Sequence, residues 1–381
     1  MQIRRSLSTF AALVGLVALP LSACSSSAST TGTTTTTTES ETTTTGVFGL
    51  TAAFNPGSAA VNGSTDVYHC SLVDPHVSTD SFITSSQFLP GTIAEVHHAI
   101  YFLIPPDQVA KAHDLDANGA GWNCFGAPLN PEGAFDGTPW LGGWAPGRGV
   151  NNSPAGTGIA IPAGSLIVMQ IHYNLLRGTS PDNSKVKLTT VPAEGSDLKP
   201  LILREYPAPP DLPCPEGVTG PLCDRTASIA DLVARTGAQA EAFLNGIERF
   251  CAPDHDFLNP EMKGKLVSTS CSWPVRSDMT IVGVTPHMHL LGQSETISLI
   301  SGSTTTTLVK VDPYNFDEQI SYETKPRITA HSGDTIKVSC TYDPTLRQRN
   351  PQTRKLDPRY VTWGDGSSDE MCLAIVGYTE N

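Results

Sequence analysis

The chain has 381 residues, with 24 Lys and Arg against 37 Asp and Glu and a formal net charge of −13. That acidic balance argues against nucleic acid as a partner. Charged residues are 16% of the total, below the usual quarter, while Gly (33) and Pro (30) are frequent. Such a composition suits a β-rich exported protein with many turns.

The first 23 residues read as a secretory leader. Arg4 and Arg5 precede an apolar run from Phe10 to Leu19, which is too short to span a bilayer. Leu21-Ser22-Ala23-Cys24 looks like a bacterial lipobox, which implies cleavage before Cys24 and lipid attachment to its thiol. The protein is therefore expected to be exported and lipid-anchored to a bacterial membrane, touching that membrane only through the anchor. Residues 24–46 form a Ser/Thr-rich stretch that cannot bury apolar surface and is expected to be a disordered tether.

Roughly 335 residues remain from Val47 onward, more than one small core usually holds, so two domains are expected. Short β-branched or aromatic runs follow at 96–104, 165–175, 185–191 and 200–206, and again at 279–290, 296–300, 307–311, 335–342 and 372–378. Each is bounded by Gly, Pro, Asn or Asp, the pattern of strands. Strands at this density without alternating helices predict an all-β fold of two tandem antiparallel β-sandwiches. The polar stretch at 193–199 sets the boundary, giving domains at 47–194 and 195–381. The exception lies between Ala227 and Phe250, where Ile229, Leu232, Val233, Ala242, Phe243 and Ile247 have helical spacing. Gly237 and Gly246 favour two short helices there, in a cysteine-rich insertion at about 213–271.

Of nine cysteines, eight remain once Cys24 is lipidated, and none forms a C-x-x-C. An even count in an oxidising compartment reads as disulfides. Spacing alone does not give the connectivity. The expected pairs are Cys70–Cys124 and Cys340–Cys372, with two bridges among Cys214, Cys223, Cys251 and Cys271.

Five of the ten histidines fall in three apolar segments: His97 and His98 in EVHHAIYF, His172 in MQIHYN, and His287 and His289 in TPHMHLLG. Residues i and i+2 of a strand share a face, so His287 and His289 can hold one metal while Met288 faces away. His97 and His98 would point to opposite faces of a regular strand, so they share a metal only at a bulge, a bend or a strand end. Imidazole suits copper, zinc and iron, and the thioether of Met371 in SSDEMC adds a preference for Cu(I). A three-histidine set alone fits zinc equally well. Glu95, two residues before His97, is the nearest acid and would share that residue's face. Taken singly, a strand histidine is ordinarily structural, Met371 reads as core packing, and the acidic run at 365–370 reads as a solvated turn in preference to a calcium site.

In order and surroundings these elements resemble the copper type II, ascorbate-dependent monooxygenases, the family of peptidylglycine α-hydroxylating monooxygenase and dopamine β-monooxygenase. The matching residues are V-H-H (96–98), Q-I-H-Y (170–173), H-M-H-L-L-G (287–292) and S-S-D-E-M-C (367–372), with Tyr68-His69-Cys70 and Val191-Pro192 as flanking fits. The resemblance covers about residues 55 to 381. It implies jelly-roll-like sandwiches with one copper each: an electron-transfer ion on His97, His98 and His172, and a substrate-facing ion on His287, His289 and Met371. The two would face each other across a solvent-filled cleft. Dioxygen and ascorbate, or another reductant, are the implied co-substrates, and Gln170 takes a supporting role near the first copper.

The departures bear on substrate. Where the peptide-amidating enzyme grips a carboxylate with Arg, Asn and Tyr, this chain has Thr285, Leu373 and Ile375, none of them a charge-assisted or phenolic donor. They imply either a more apolar pocket or a core strand. The Cys that follows V-H-H in the animal enzymes is absent, with Ile104 near its place, so one family disulfide is missing. The insertion is expected as a lid over the cleft or as a brace for the second domain. The expected function is hydroxylation of a C–H bond of a small-molecule organic substrate by a monomer. Its alternative is a copper-binding or copper-buffering surface lipoprotein without turnover.

Overall fold

The computed structural model describes residues 43–50, 52–60, 66–124, 127–130, 137–254, 256 and 260–381. The leader, Cys24 and most of the tether lie outside the described residues. The tether expected to run through residue 46 is shorter than that. Thr44–Gly49 is a strand paired antiparallel with Lys185–Pro192, because β-branched threonines suit an extended edge.

The architecture is all-β, as expected. In the first half, a sheet of Thr44–Gly49, Lys185–Pro192, Ser81–Leu89, Thr157–Ile161 and Lys199–Pro200 faces a second of Trp122–Asn123, Asp66–Val73, Leu166–Asn174, Val96–Ile104 and Trp140–Trp144. Apolar side chains such as Ile83, Val96, Ile167, Met169, Ile171 and Val186 fill the space between them. In the second half, Ile202–Pro207, Cys372–Glu380, Met279–Met288 and Tyr322–Ala330 form one sheet. Glu261–Lys263, Leu266–Pro274, Thr335–Tyr342, Gly292–Ser301 and Thr304–Val311 form the other. Ile281, Val284, Met288, Ile297 and Val338 lie in the core they share. Lys199–Pro200 still pairs with Thr157–Gly158, so the first set of strands runs past residue 194.

Several strands escape a search for apolar runs. Leu266–Pro274 buries Val267, Thr269 and Cys271 while Ser268, Ser270 and Ser272 face outward. This is period-two burial with polar residues on both faces, and Asp66–Val73 and Tyr322–Ala330 are similarly mixed.

Two helices occupy the insertion, Arg225–Thr236 and Ala238–Cys251. The Asp224 carboxylate accepts from the Ala227 N–H and caps the first. Gly237, at φ 98°, ends it and starts the second, a conformation in which a side chain would be strained. The disulfides are Cys70–Cys124, Cys214–Cys223, Cys251–Cys271 and Cys340–Cys372. Four such bonds fit an extracellular or otherwise oxidising compartment.

Candidate metal centres

His98 on Val96–Ile104 pairs directly with His172 on Leu166–Asn174, and the register slips between Val96 and His98. His97 is the extra residue of that β-bulge. The bulge is the device the adjacent pair required, because it turns both rings to the same side of the sheet. The Nδ1 atoms of His97 and His98 lie 3.2 Å apart, and those of His172 and His98 3.4 Å apart. All three rings place a nitrogen within 4.8 Å of the others. Nitrogens bound tetrahedrally to one ion at about 2.0 Å would be about 3.3 Å apart, so the spacing is that of a ligand set.

Outer partners hold two of the rings. His172 Nε2 donates to Asp66 Oδ1 at 2.8 Å, and His97 Nε2 lies 3.3 Å from Ser367 Oγ. His172 therefore turns its Nδ1 lone pair toward His98. This is the outer-shell arrangement of metal-binding histidines. Tyr68 stacks on His172 at 4.3 Å. Glu95 does not join the group; its Oε1 accepts from the Ser180 N–H instead. His69 stacks on Phe54 at 3.5 Å, apart from the cluster.

On the second sandwich His287 pairs with Leu373 and Met288 with Cys372. His289 and Met371 directly follow and precede the ends of these two strands, and His287, Leu373 and Met371 line one cavity. The two imidazoles lie 5.2 Å apart, nearly perpendicular. His287 Nδ1 donates to Gln319 Oε1 at 2.8 Å, and His289 Nδ1 donates to the Asp369 carbonyl at 3.1 Å. Each Nε2 is left as the lone pair. That of His289 is buried with no hydrogen-bond partner among the described residues, a cost that a bound cation would remove. Donor chemistry and the orphaned nitrogen both fit a metal.

Burial keeps His97, His98, His287 and His289 neutral. It is the largest influence on His97, His287 and His289, each pushed down to about 3, and it holds His98 well below the usual range, with neighbouring imidazoles adding to the effect.

The acidic run is not a solvated turn. Glu370 is fully buried, and its carboxylate accepts from the N–H groups of His289, Leu291 and Met371. Burial pushes its carboxyl up to about 8 against the pull of those donors. Asp369 takes a two-pronged ion pair from Arg235 of the first insertion helix. Leu244 and Ile247 of the second helix pack with Trp363, Met371 and Leu373. The insertion is thus a brace behind the Met371 strand end.

The outer faces of the two site-bearing sheets meet around a cavity of about 300 Å³. His98, His287 and Met371 line it, as do Thr285, Leu373, Ile375 and Gln170. Trp140, Trp144, Phe243 and Trp363 add aromatic faces to its wall, and Arg148, Glu205 and Asp365 add charged ones. Leu373 and Ile375 are therefore cavity residues, and the Thr285 hydroxyl is engaged by Ser321 at 2.7 Å. Gln170 sits beside the first histidine group, its Nε2 3.6 Å from the Cys124 sulfur. The Phe316 ring stands 5.6 Å from His97 and 6.1 Å from His289.

Residues 246–381 match the family model "Copper type II ascorbate-dependent monooxygenase, C-terminal domain". That stretch belongs to the copper type II ascorbate-dependent monooxygenases. The copper monooxygenase domain so defined contains His287, His289 and Met371, while His97, His98 and His172 lie before it. No curated protein matches the chain. Among solved structures it is similar to an allantoicase (10% identity, 83% of this chain and 78% of that one, TM-score 0.20) and to allantoicase from Saccharomyces cerevisiae (10%, 84% and 79%, 0.22). It is also similar to a Paenibacillus xanthan lyase (8%, 90% and 25%, 0.18). Scores this low carry no inference about fold or function. The copper monooxygenase domain does carry one: its family is copper- and ascorbate-dependent.

Proposed function

We propose that this protein is a copper-dependent monooxygenase. It hydroxylates a C–H bond of an organic substrate with dioxygen and an external one-electron reductant such as ascorbate. One copper would be held by His97, His98 and His172, the other by His287, His289 and Met371. The observation that carries the reading is that one histidine of each group, His98 and His287, and the Met371 thioether border a single, mostly apolar cavity.

Copper, when bound, supplies one-electron redox chemistry and the activation of dioxygen, and a thioether beside imidazoles suits Cu(I). The chain supplies the rest. Asp66, Gln319 and the Asp369 carbonyl hold ring protons on the outward nitrogens of His172, His287 and His289, so their inward lone pairs stay available, and Ser367 engages the outward nitrogen of His97. Leu373 and Ile375 present hydrocarbon to the part of the substrate that would lie nearest His287, so that part is apolar. We extend the proposal to location, with lipid attachment at Cys24 holding a monomer at a bacterial membrane.

The test is oxygen uptake by copper-loaded protein with ascorbate and a panel of phenethylamines, acylglycines and neutral aromatics. Substrate-dependent uptake, lost in His172→Ala and in Met371→Ile, is expected. The isoleucine conserves volume well enough that the fold should lose less than about 1.5 kcal/mol. Bound copper with no uptake across the panel would favour a copper-buffering role instead.

A further inference from the structure

Ser367 belongs to the second sandwich, yet its hydroxyl is 3.3 Å from His97 Nε2 on the first. The same oxygen accepts from Asn174 Nδ2, also at 3.3 Å. The buried Ser367 hydroxyl is thus engaged twice by the first sandwich.

The segment carrying Ser367 is held firmly on its own side. Two residues on, the Asp369 carboxylate is gripped by Arg235 and its carbonyl accepts from His289 Nδ1. Arg347 donates to the Ser368 carbonyl at 2.9 Å, and Glu370 ties the backbone of Met371 to that of His289. The segment from Gly364 to Met371 therefore sets His289, Met371 and Ser367 together. The reverse link runs through Arg148 of the first half, whose Nε donates to the Gln319 carbonyl at 3.0 Å, while the Gln319 side chain orients His287.

We propose that Ser367 is a positioning residue for His97, and that through it the 364–371 segment couples the two histidine groups. Each group's geometry is completed from the other sandwich. This rests on the copper reading above only for its metal-binding consequence; the positioning of the ring does not.

Two measurements on the mature chain test it. In copper-free protein with labelled histidine, nitrogen NMR reads the His97 tautomer. One tautomer should dominate in the native chain and in Ser367→Thr, and a tautomer mixture should replace it in Ser367→Ala. In copper-loaded protein, competition with a chromophoric Cu(I) chelator reads affinity at His97, His98 and His172. Ser367→Ala should weaken it about 10- to 100-fold, the range for losing an outer-shell partner, and Ser367→Thr should restore it. His289→Ala should also weaken that group, with little further loss when combined with Ser367→Ala, because coupled sites are not additive. Unchanged tautomer and affinity in Ser367→Ala would overturn the proposal. So would equal loss in the Ala and Thr variants, or full additivity with His289→Ala. A native chain that binds no copper, yet shows the expected tautomer shift, would sink the copper reading and the metal coupling while leaving the positioning of His97 intact.

Discussion

A buried imidazole kept neutral is a lone pair held ready, and its cost appears as proton linkage. His289, 1% exposed, has its folded pKa depressed by burial to about 3, below the unfolded value of 6.5. As pH falls below 6.5 the unfolded chain takes up the proton first, so the stability present above 6.5 is lost toward pH 3. Buried carboxyls oppose this. Glu370, raised to about 8, and Asp365, raised to about 7, favour the folded state most when protonated, and that contribution is lost as pH rises. The histidine effect is therefore read as a difference. Copper-free native protein should lose stability relative to His289→Gln between pH 6.5 and 4, by about 1.4 kcal/mol per pH unit in urea unfolding. A difference that stays flat with pH would show that His289 titrates normally in the fold.

At the level of elements, the H-x-H strand was legible because a period of two needs no further device. His287 and His289 share a face as the sequence implies. The adjacent pair was legible only as a requirement. V-H-H demands a bulge, but nothing in those three letters says that the slip falls between Val96 and His98. The acidic run misled, because Asp and Glu normally face water. Its partners, Arg235 at a separation of 134 residues and backbone N–H groups 79 and 81 residues away, are brought in only by the fold. The brace formed by Arg235 is expected to be structural. Arg235→Ala leaves the buried Asp369 carboxylate without its two-pronged partner. Because Arg235 is 28% exposed, the loss should be about 2–3 kcal/mol, below that for a fully buried pair. Urea unfolding at constant m-value checks this, and a change under 0.5 kcal/mol, ordinary for a surface substitution, would remove the insertion from the support of Met371.

Across the whole molecule, a sequence can show which residues ride on each sandwich but not how near the sandwiches stand. The strand faces were foreseeable from alternation, while the Phe316 ring between His97 and His289 comes from a loop with no period to read. That proximity makes the number of ions the central question, since five histidines and a methionine so close together allow either two sites or one shared site. The most direct test is the copper content of the loaded, desalted chain. Two coppers are expected in the native protein, and one in each of His172→Ala and His289→Ala. One copper in the native protein, lost entirely in either variant, would contradict the two-site account.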